Sequence, residues 1–341
     1  MVEISLTIFF ISVLLFLLGS GVWVAISMIG VSTIGMILFT SRPVGDAMAT
    51  TIWGTSSSWT LTALPLFVWM GEILFRTRLS ENLFAGLSPW MQKLPGGLIH
   101  VNVVGCALFA AISGSSAATV ATVGKMSIPE LRKRKYPEKI LLGSLAGSGT
   151  LGLLIPPSII LIIYGVTVQE SIAKLFIAGI LPGIMIALIF MSYVIIWSLI
   201  NKKSMPKYVE KFTFLEKIKK SKQLLPVIIL ISAVIGSIYI GVATATEAAS
   251  LGVVGALILS YFQKSLSIQT FKKSLLGATK TSCMIAFILA GSTFLSLAMG
   301  FTGLPRNLAI WIQNMELSPY VLIFVLMIFY IILGMFLDGI S

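Results

Sequence analysis

Ala111-Ile112-Ser113-Gly114-Ser115-Ser116-Ala117-Ala118-Thr119 is a run of small and hydroxyl-bearing residues inside a chain that is otherwise mostly apolar. The apolar segment before it, Leu98 to Ile112, holds 15 residues. At about 1.5 Å per residue it reaches roughly 22 Å, short of the ~30 Å hydrocarbon core of a bilayer. The apolar stretch after it, Val120 to Ile128, is shorter still and runs into Arg132-Lys133-Arg134-Lys135. Two half-length helices joined by a small polar tip describe a re-entrant hairpin, not two spans. Such backbone is tolerated at membrane depth only where protein or a watery cavity satisfies it, and in transporters broken segments of this kind coordinate ions and substrate. The same residues also fit a close helix contact between small side chains.

Working outward, the 341 residues are 57% hydrophobic and 11% charged, the composition of a multi-helix integral membrane protein. The net charge of +12 does not point to nucleic acid, because the cations gather between apolar spans. Lys202 to Lys222 forms one basic loop, Lys125 to Lys139 a second, and Lys264 to Lys280 a third, which is the positive-inside pattern. The spans read as Glu3 to Leu18, Val22 to Phe39, Leu61 to Phe75, Ile172 to Ile200, Leu224 to Ile240, Ala248 to Phe262 and Met284 to Phe301. Arg42 to Trp59, rich in Ser and Thr, reads as a loop or lid. Leu79 to Leu94 and Leu304 to Met315 have the amphipathic pattern of interfacial helices. Ile140 to Tyr164 is apolar but interrupted by Gly147-Ser148-Gly149-Thr150-Leu151-Gly152 and by Pro156-Pro157, which break a helix in mid-membrane. Val321 to Leu337 is a second short apolar segment, leading to Asp338-Gly339-Ile340-Ser341. With the basic loops in the cytoplasm, the N-terminus falls on the opposite, outer side, and the two short segments enter from opposite faces.

At a fixed shift of 225 residues, Thr77, Leu79, Asn82, Leu83, Gly114 and Ser116 match Thr302, Leu304, Asn307, Leu308, Gly339 and Ser341. The order of elements repeats as well: span, interfacial helix, short segment, small polar tip. Opposite orientation makes this an inverted-topology repeat, a signature of alternating-access transporters. The second copy lacks a descending arm and a broken span, so we expect a longer natural chain, by roughly 80 to 90 residues.

Ile112 to Thr119, Gly149-Thr-Leu-Gly-Leu-Leu-Ile-Pro-Pro-Ser158, Tyr164-Gly-Val, Leu175-Phe-Ile-Ala-Gly-Ile-Leu-Pro-Gly183, Ala245-Thr-Glu-Ala-Ala249 and Gly334-Met-Phe-Leu-Asp-Gly339 resemble the large membrane subunit of tripartite ATP-independent periplasmic (TRAP) transporters. The resemblance covers essentially the whole chain. It implies an all-α elevator-type carrier of the bacterial inner membrane that couples sodium to the uptake of a small organic anion, such as a C4-dicarboxylate or sialic acid. It also implies two protein partners, a small four-helix membrane subunit and a periplasmic substrate-binding protein, besides membrane lipids. No cofactor is expected beyond sodium as coupling ion, and no nucleic acid.

The organisation expected on that basis is scaffold helices over 1–60, then a scaffold span and cytoplasmic arm helix over 61–94. The first half of the transport domain comes next over 95–200, with a re-entrant hairpin at 98–132, a broken span at 140–164 and a span at 172–200. Beyond it lie a basic cytoplasmic loop (201–223), second scaffold helices (224–280), a span with a periplasmic arm helix (281–318) and the start of a second hairpin (319–341).

Sodium is a hard cation that takes oxygen ligands, and hydroxyls and freed carbonyls supply them. Ser113, Gly114, Ser115, Ser116 and Thr119 of the tip, with Gly147, Ser148, Gly149, Thr150 and Gly152 of the broken span, are therefore assigned to a sodium site. Ser115, Ser116, Pro156, Pro157, Asp338 and Ser341 are assigned to the anion. A carboxylate at the end of an apolar segment is costly and functional by default, so Asp338 binds a cation, orients the second tip, or caps it. Thr244 to Glu247 reads as a capping box, and Glu72 is placed to pair with Arg76 four residues on.

Rival classes are weaker. With one histidine, a triad built on His is disfavoured. An aspartyl intramembrane protease needs two carboxylates sharing a proton, and none partners Asp338 in mid-span. Ser115 and Lys125 are too far apart along the hairpin for a dyad. A channel gathers copies of one filter about an axis, which two inverted halves do not provide. A stand-alone elevator carrier that dispenses with the binding protein is the nearest competitor. An epitope tag placed between Lys202 and Lys222 should be accessible only from the cytoplasm in protease-protection assays; a periplasmic signal would invert the topology.

Overall fold

The computed structural model describes residues 2–77, 79–206 and 212–336, and among these it is helical throughout, with no strand. Two compact units divide the chain. One comprises Met1–Trp59 and Cys283–Ser341, the other Thr60–Ser282.

The first unit opens with α1 (Val2–Gly19), α2 (Val24–Phe39) and α3 (Val44–Ser56). Helix α3 corrects the expectation of a loop over Arg42 to Trp59. Its threonines do not compete with the backbone but bond along it: Thr50, Thr51 and Thr55 donate to the carbonyls of Asp46, Ala47 and Thr51 at 2.7, 2.7 and 2.9 Å. Asp46 sits in the first turn, where the helix dipole favours an acid. Gly35 lets the Phe10 ring lie against α2.

Among the described residues the second unit holds ten complete α-helices in chain order. They are α4 (Ala63–Phe75), α5 (Leu79–Met91), α6 (Ile99–Ser113), α7 (Ser116–Lys133), α8 (Glu138–Gly149), α9 (Ile159–Val168), α10 (Ile172–Ile200), α11 (Phe214–Ser221), α12 (Leu225–Tyr239) and α13 (Ala245–Phe262). Helices α4 and α13 approach closely because α13 offers small buried residues, Ala248, Ala249, Gly252 and Ala256. A Cβ on Gly252 would fall 2.6 Å from the Met70 sulfur. In lipid, where apolar burial alone does not drive helices together, this small-residue packing holds a pair. Helices α6, α7 and α8 form a three-helix bundle. Its far end is tied where the Leu98 N–H donates to the Tyr136 hydroxyl at 3.0 Å. The Thr244/Glu247 capping box starts α13, with the Thr244 N–H donating to the Glu247 carboxylate at 2.8 Å, and Arg76 pairs with Glu72 at 2.9 Å.

The last helices are α14 (Ile268–Phe301), α15 (Leu304–Gln313) and α16 (Pro319–Phe336). Helix α14 is a second correction. The sequence treats Lys264 to Lys280 as a basic loop before a span at Met284, yet Lys272, Lys273 and Lys280 lie within one 34-residue helix. Apolar residues such as Phe271, Leu275 and Ala278 alternate with the lysines at helical spacing, so the charges occupy one face. The starts of α5 and α15 lie 225 residues apart. Among the described residues, α10, α13 and α14 are individually long and apolar enough to cross a bilayer.

In the first unit, α2 crosses the later part of α14 at Gly291, where an added Cβ would sit 2.9 Å from the Ala25 carbonyl oxygen and 3.3 Å from its Cα. Backbone cannot give way as a side chain does. Gly291→Leu should therefore cost about 1–3 kcal/mol and lower the thermal midpoint in detergent. Gly300→Leu, where an added Cβ meets nothing within 4 Å, should leave it unchanged.

Candidate functional site

The second unit brings the tip of the α6–α7 hairpin against the break between α8 and α9. Helix α6 ends in Gly114, whose φ of 60° is left-handed and whose N–H closes on the Ala110 carbonyl at 3.0 Å. Glycine suits this position twice over, because a Cβ there would also fall 2.8 Å from the Pro157 carbonyl oxygen. Ser115 then caps α7, its hydroxyl accepting from the Ala118 N–H at 3.5 Å. The buried Thr119 hydroxyl donates to the Ser115 carbonyl at 2.7 Å and lies 2.9 Å from the Ser113 hydroxyl. The tip is thus a closed knot of hydroxyls. The Ser116 hydroxyl is the exception, with no protein partner among the described residues.

Across from it, α8 tightens into a 3-10 turn at Thr150–Leu153 and stops before the cis Pro156–Pro157 bond. Neither proline has an N–H, so the carbonyls of Gly152 and Leu153 lose their helical donors. Ser158 answers half of this. It is fully buried, donates its hydroxyl to the Leu153 carbonyl, and caps α9 by accepting from the Leu161 N–H. Among the described residues the Gly152 carbonyl gains no such partner.

The two halves meet backbone to backbone. The Ile159 N–H donates to the Gly114 carbonyl at 3.3 Å. At Gly152 the tip comes so close that a Cβ would sit 2.8 Å from the Ser115 carbonyl oxygen and 2.9 Å from the Ser116 nitrogen. Gly149 likewise gives room to Val120, and on another side Gly71 of α4 lies against Ser113, 3.1 Å from an added Cβ to the Ser113 Cα.

Four helix ends therefore meet. The N-termini of α7 and α9 bring first-turn N–H groups and the positive ends of two dipoles, which suit an anion. The C-termini of α6 and of α8 with its 3-10 turn bring carbonyls and negative ends, which suit a cation. Tip and break together, Ser113 to Thr119 and Gly147 to Leu161, contain no acidic or basic side chain.

Of the residues singled out by sequence, Ser113, Gly114, Ser115, Ser116, Thr119, Gly149, Gly152 and Pro157 meet here. Four others face elsewhere. Gly147 packs against the Phe190 ring, 3.2 Å from an added Cβ. The buried Ser148 hydroxyl bonds the Ser144 carbonyl at 2.6 Å and the Asn102 carbonyl at 3.4 Å. Thr150 is exposed and bonds back to the Gly147 carbonyl at 2.7 Å. Pro156 is buried beside Gly179 of α10. Asp338 and Ser341 lie outside the described residues.

Sequence reading passed over Gly71, Val120 and Asn102. Asn102 is fully buried, and its amide donates to the Leu141 carbonyl and the Ser144 hydroxyl at 3.2 and 3.1 Å. The signal was present, since it is a lone amide inside the apolar run from Leu98 to Ile112.

A family model described as "Tripartite ATP-independent periplasmic transporter, DctM component" matches residues 10–341. The chain is 33% identical over 311 residues to the C4-dicarboxylate TRAP transporter large permease protein DctM of Pseudomonas aeruginosa, covering 91% of this chain and 72% of that one. It is 31% identical to the sialic acid TRAP transporter large permease protein SiaM of Vibrio cholerae, covering 95% and 75%. It is 30% identical to the isethionate TRAP transporter permease protein DctMQ of Oleidesulfovibrio alaskensis, covering 94% and 50%.

Gly152→Ala should drive the tip and break apart. The expected result is a lower thermal midpoint, by about 1–3 kcal/mol of strain. Gly143→Ala, on the open side of α8 with nothing within 4 Å, should be neutral.

Proposed function

The chain belongs to the family of DctM components of tripartite ATP-independent periplasmic transporters, membrane transport proteins and not enzymes, and from that premise we propose that it carries a small organic anion inward with sodium. The observation that carries this reading is the meeting of two helix N-termini and two helix C-termini at one uncharged site. A cation seated on the carbonyl ends and a carboxylate or sulfonate facing the amide ends each meet complementary partial charge. Each also offsets the other's field at short range.

In this reading the coupling ion sits among the oxygens of Ser113, Ser115, Ser116, Thr119 and Gly152. The anion lies toward the first turns of α7 and α9. Asp338 and Ser341 are assigned to the second tip, which completes the anion site. The relatives' names cite a C4-dicarboxylate, sialic acid and isethionate, chemically different molecules that share an anionic group. That common feature is what backbone N–H groups recognise.

The repeat at a shift of 225 residues, with its opposed entry sides, supports an elevator mechanism in which the hairpin and broken helix move as one body past scaffold helices. We place the protein in the bacterial inner membrane with its N-terminus in the periplasm. There it works with a small four-helix subunit and a periplasmic binding protein that delivers substrate.

Vesicles containing the assembled transporter test the proposal. Uptake of the anion should require external sodium and the binding protein together. Ser116→Leu should abolish the sodium-dependent component while membrane insertion stays intact. Uptake that persists without the binding protein would favour a stand-alone carrier, and sodium-independent uptake would remove the ion from the site.

A further inference from the structure

Helix α11, Phe214–Ser221, lies in the lysine-rich segment that sequence alone uses only to orient the chain. A capping box starts it, with the Thr213 N–H donating to Glu216 at 2.8 Å. It meets α12 at a bend of 53°, so it turns away from the span instead of extending it.

One side of α11 is fastened to α5. The Trp90 indole N–H donates to the Ser221 hydroxyl at 2.7 Å. Lys217 is 7% exposed, with its ammonium 5.2 Å from the centre of the same indole. The Phe214 ring meets Trp90 edge-on at 6.4 Å. Lys220 is engaged over the Phe212 ring at 4.0 Å.

The remaining surface is apolar and basic, and uncovered. Leu215 and Ile218 are 78% and 40% exposed, and Phe214, beyond its edge contact with Trp90, still leaves 68% of its surface exposed. Beside them Lys219 and Lys222 are exposed, with no acidic partner among the described residues. Apolar side chains next to unpaired ammonium groups, on a helix turned from a span, match the boundary between acyl chains and headgroups. The charge selects the headgroup, since cations on a membrane-surface helix are drawn to anionic lipid.

We propose that the exposed face of α11, held in place by Trp90 of α5, is a docking site for anionic phospholipid, with Phe214, Leu215 and Ile218 in the acyl region and Lys219 and Lys222 on the phosphates. The inference uses the chain's place in a membrane and none of the assignments at the transport site.

The full chain in nanodiscs of phosphatidylcholine with graded phosphatidylglycerol provides the test. A fluorophore on Gln223→Cys, in a Cys283→Ser background, reports quenching by nitroxide-labelled headgroups. Quenching should be stronger from labelled phosphatidylglycerol than from labelled phosphatidylcholine. At about 1 kcal/mol per lysine near an anionic surface, Lys219→Gln with Lys222→Gln should raise the phosphatidylglycerol needed for half-maximal quenching about thirty-fold. Lys272→Gln with Lys273→Gln removes the same charge from an exposed part of α14 and should leave it unchanged. Equal quenching by the two lipids would overturn the proposal, as would the same loss in the control pair. So would shielding from both lipids in the assembled transporter, which would make the face a protein contact.

Discussion

A helix interrupted inside a bilayer exposes N–H and C=O groups that lipid cannot satisfy, and the second unit is arranged around meeting that demand. The hairpin tip and the α8–α9 break answer each other. The Gly114 carbonyl takes the Ile159 N–H, Ser158 takes up the Leu153 carbonyl, and Ser115 with Thr119 closes the start of α7. Glycines at 71, 114, 149 and 152 allow the backbones to come near enough. The groups left over after these bonds, a few first-turn N–H groups, the Gly152 carbonyl and the Ser116 hydroxyl, are those a ligand can use. The site is the remainder of a backbone problem that the fold has mostly solved.

Much of this was legible in the chain. Hydroxyl clusters inside apolar runs, glycines in series and paired prolines are strong local signals, because few other structures tolerate them at that depth. The capping box at Thr244 and the pair Glu72–Arg76 were readable for the same reason: both are local, set by spacing along one helix. The misreadings were also physical. Arg42 to Trp59 has polar composition, but threonine can bond its own helix four residues back, so α3 forms. The lysines of α14 read as a loop by composition alone, although their helical spacing places them on one face.

The direction of side chains was less legible than the location of backbone. Ser148 and Thr150 stand within the broken segment, yet one turns to Asn102 and the other to its own helix. A 3-10 turn advances by about 120° per residue where an α-helix advances by 100°, so side chains beyond Gly149 leave the phase of α8, whereas Ser148, before the turn, keeps it and packs on α6. Asn102, in turn, serves the bundle beneath the tip. Its amide ties α6 to α8, which holds the hairpin in register with the break.

The want of any ionisable side chain along Ser113 to Thr119 and Gly147 to Leu161 has an electrical meaning. Helix ends carry fractions of an electron's charge, and at this junction two fractions of each sign sum to almost nothing. A junction built this way imposes no self-energy of a buried ion on the fold. Its polarity is fixed in the main chain, where no proton can be gained or lost as the medium acidifies.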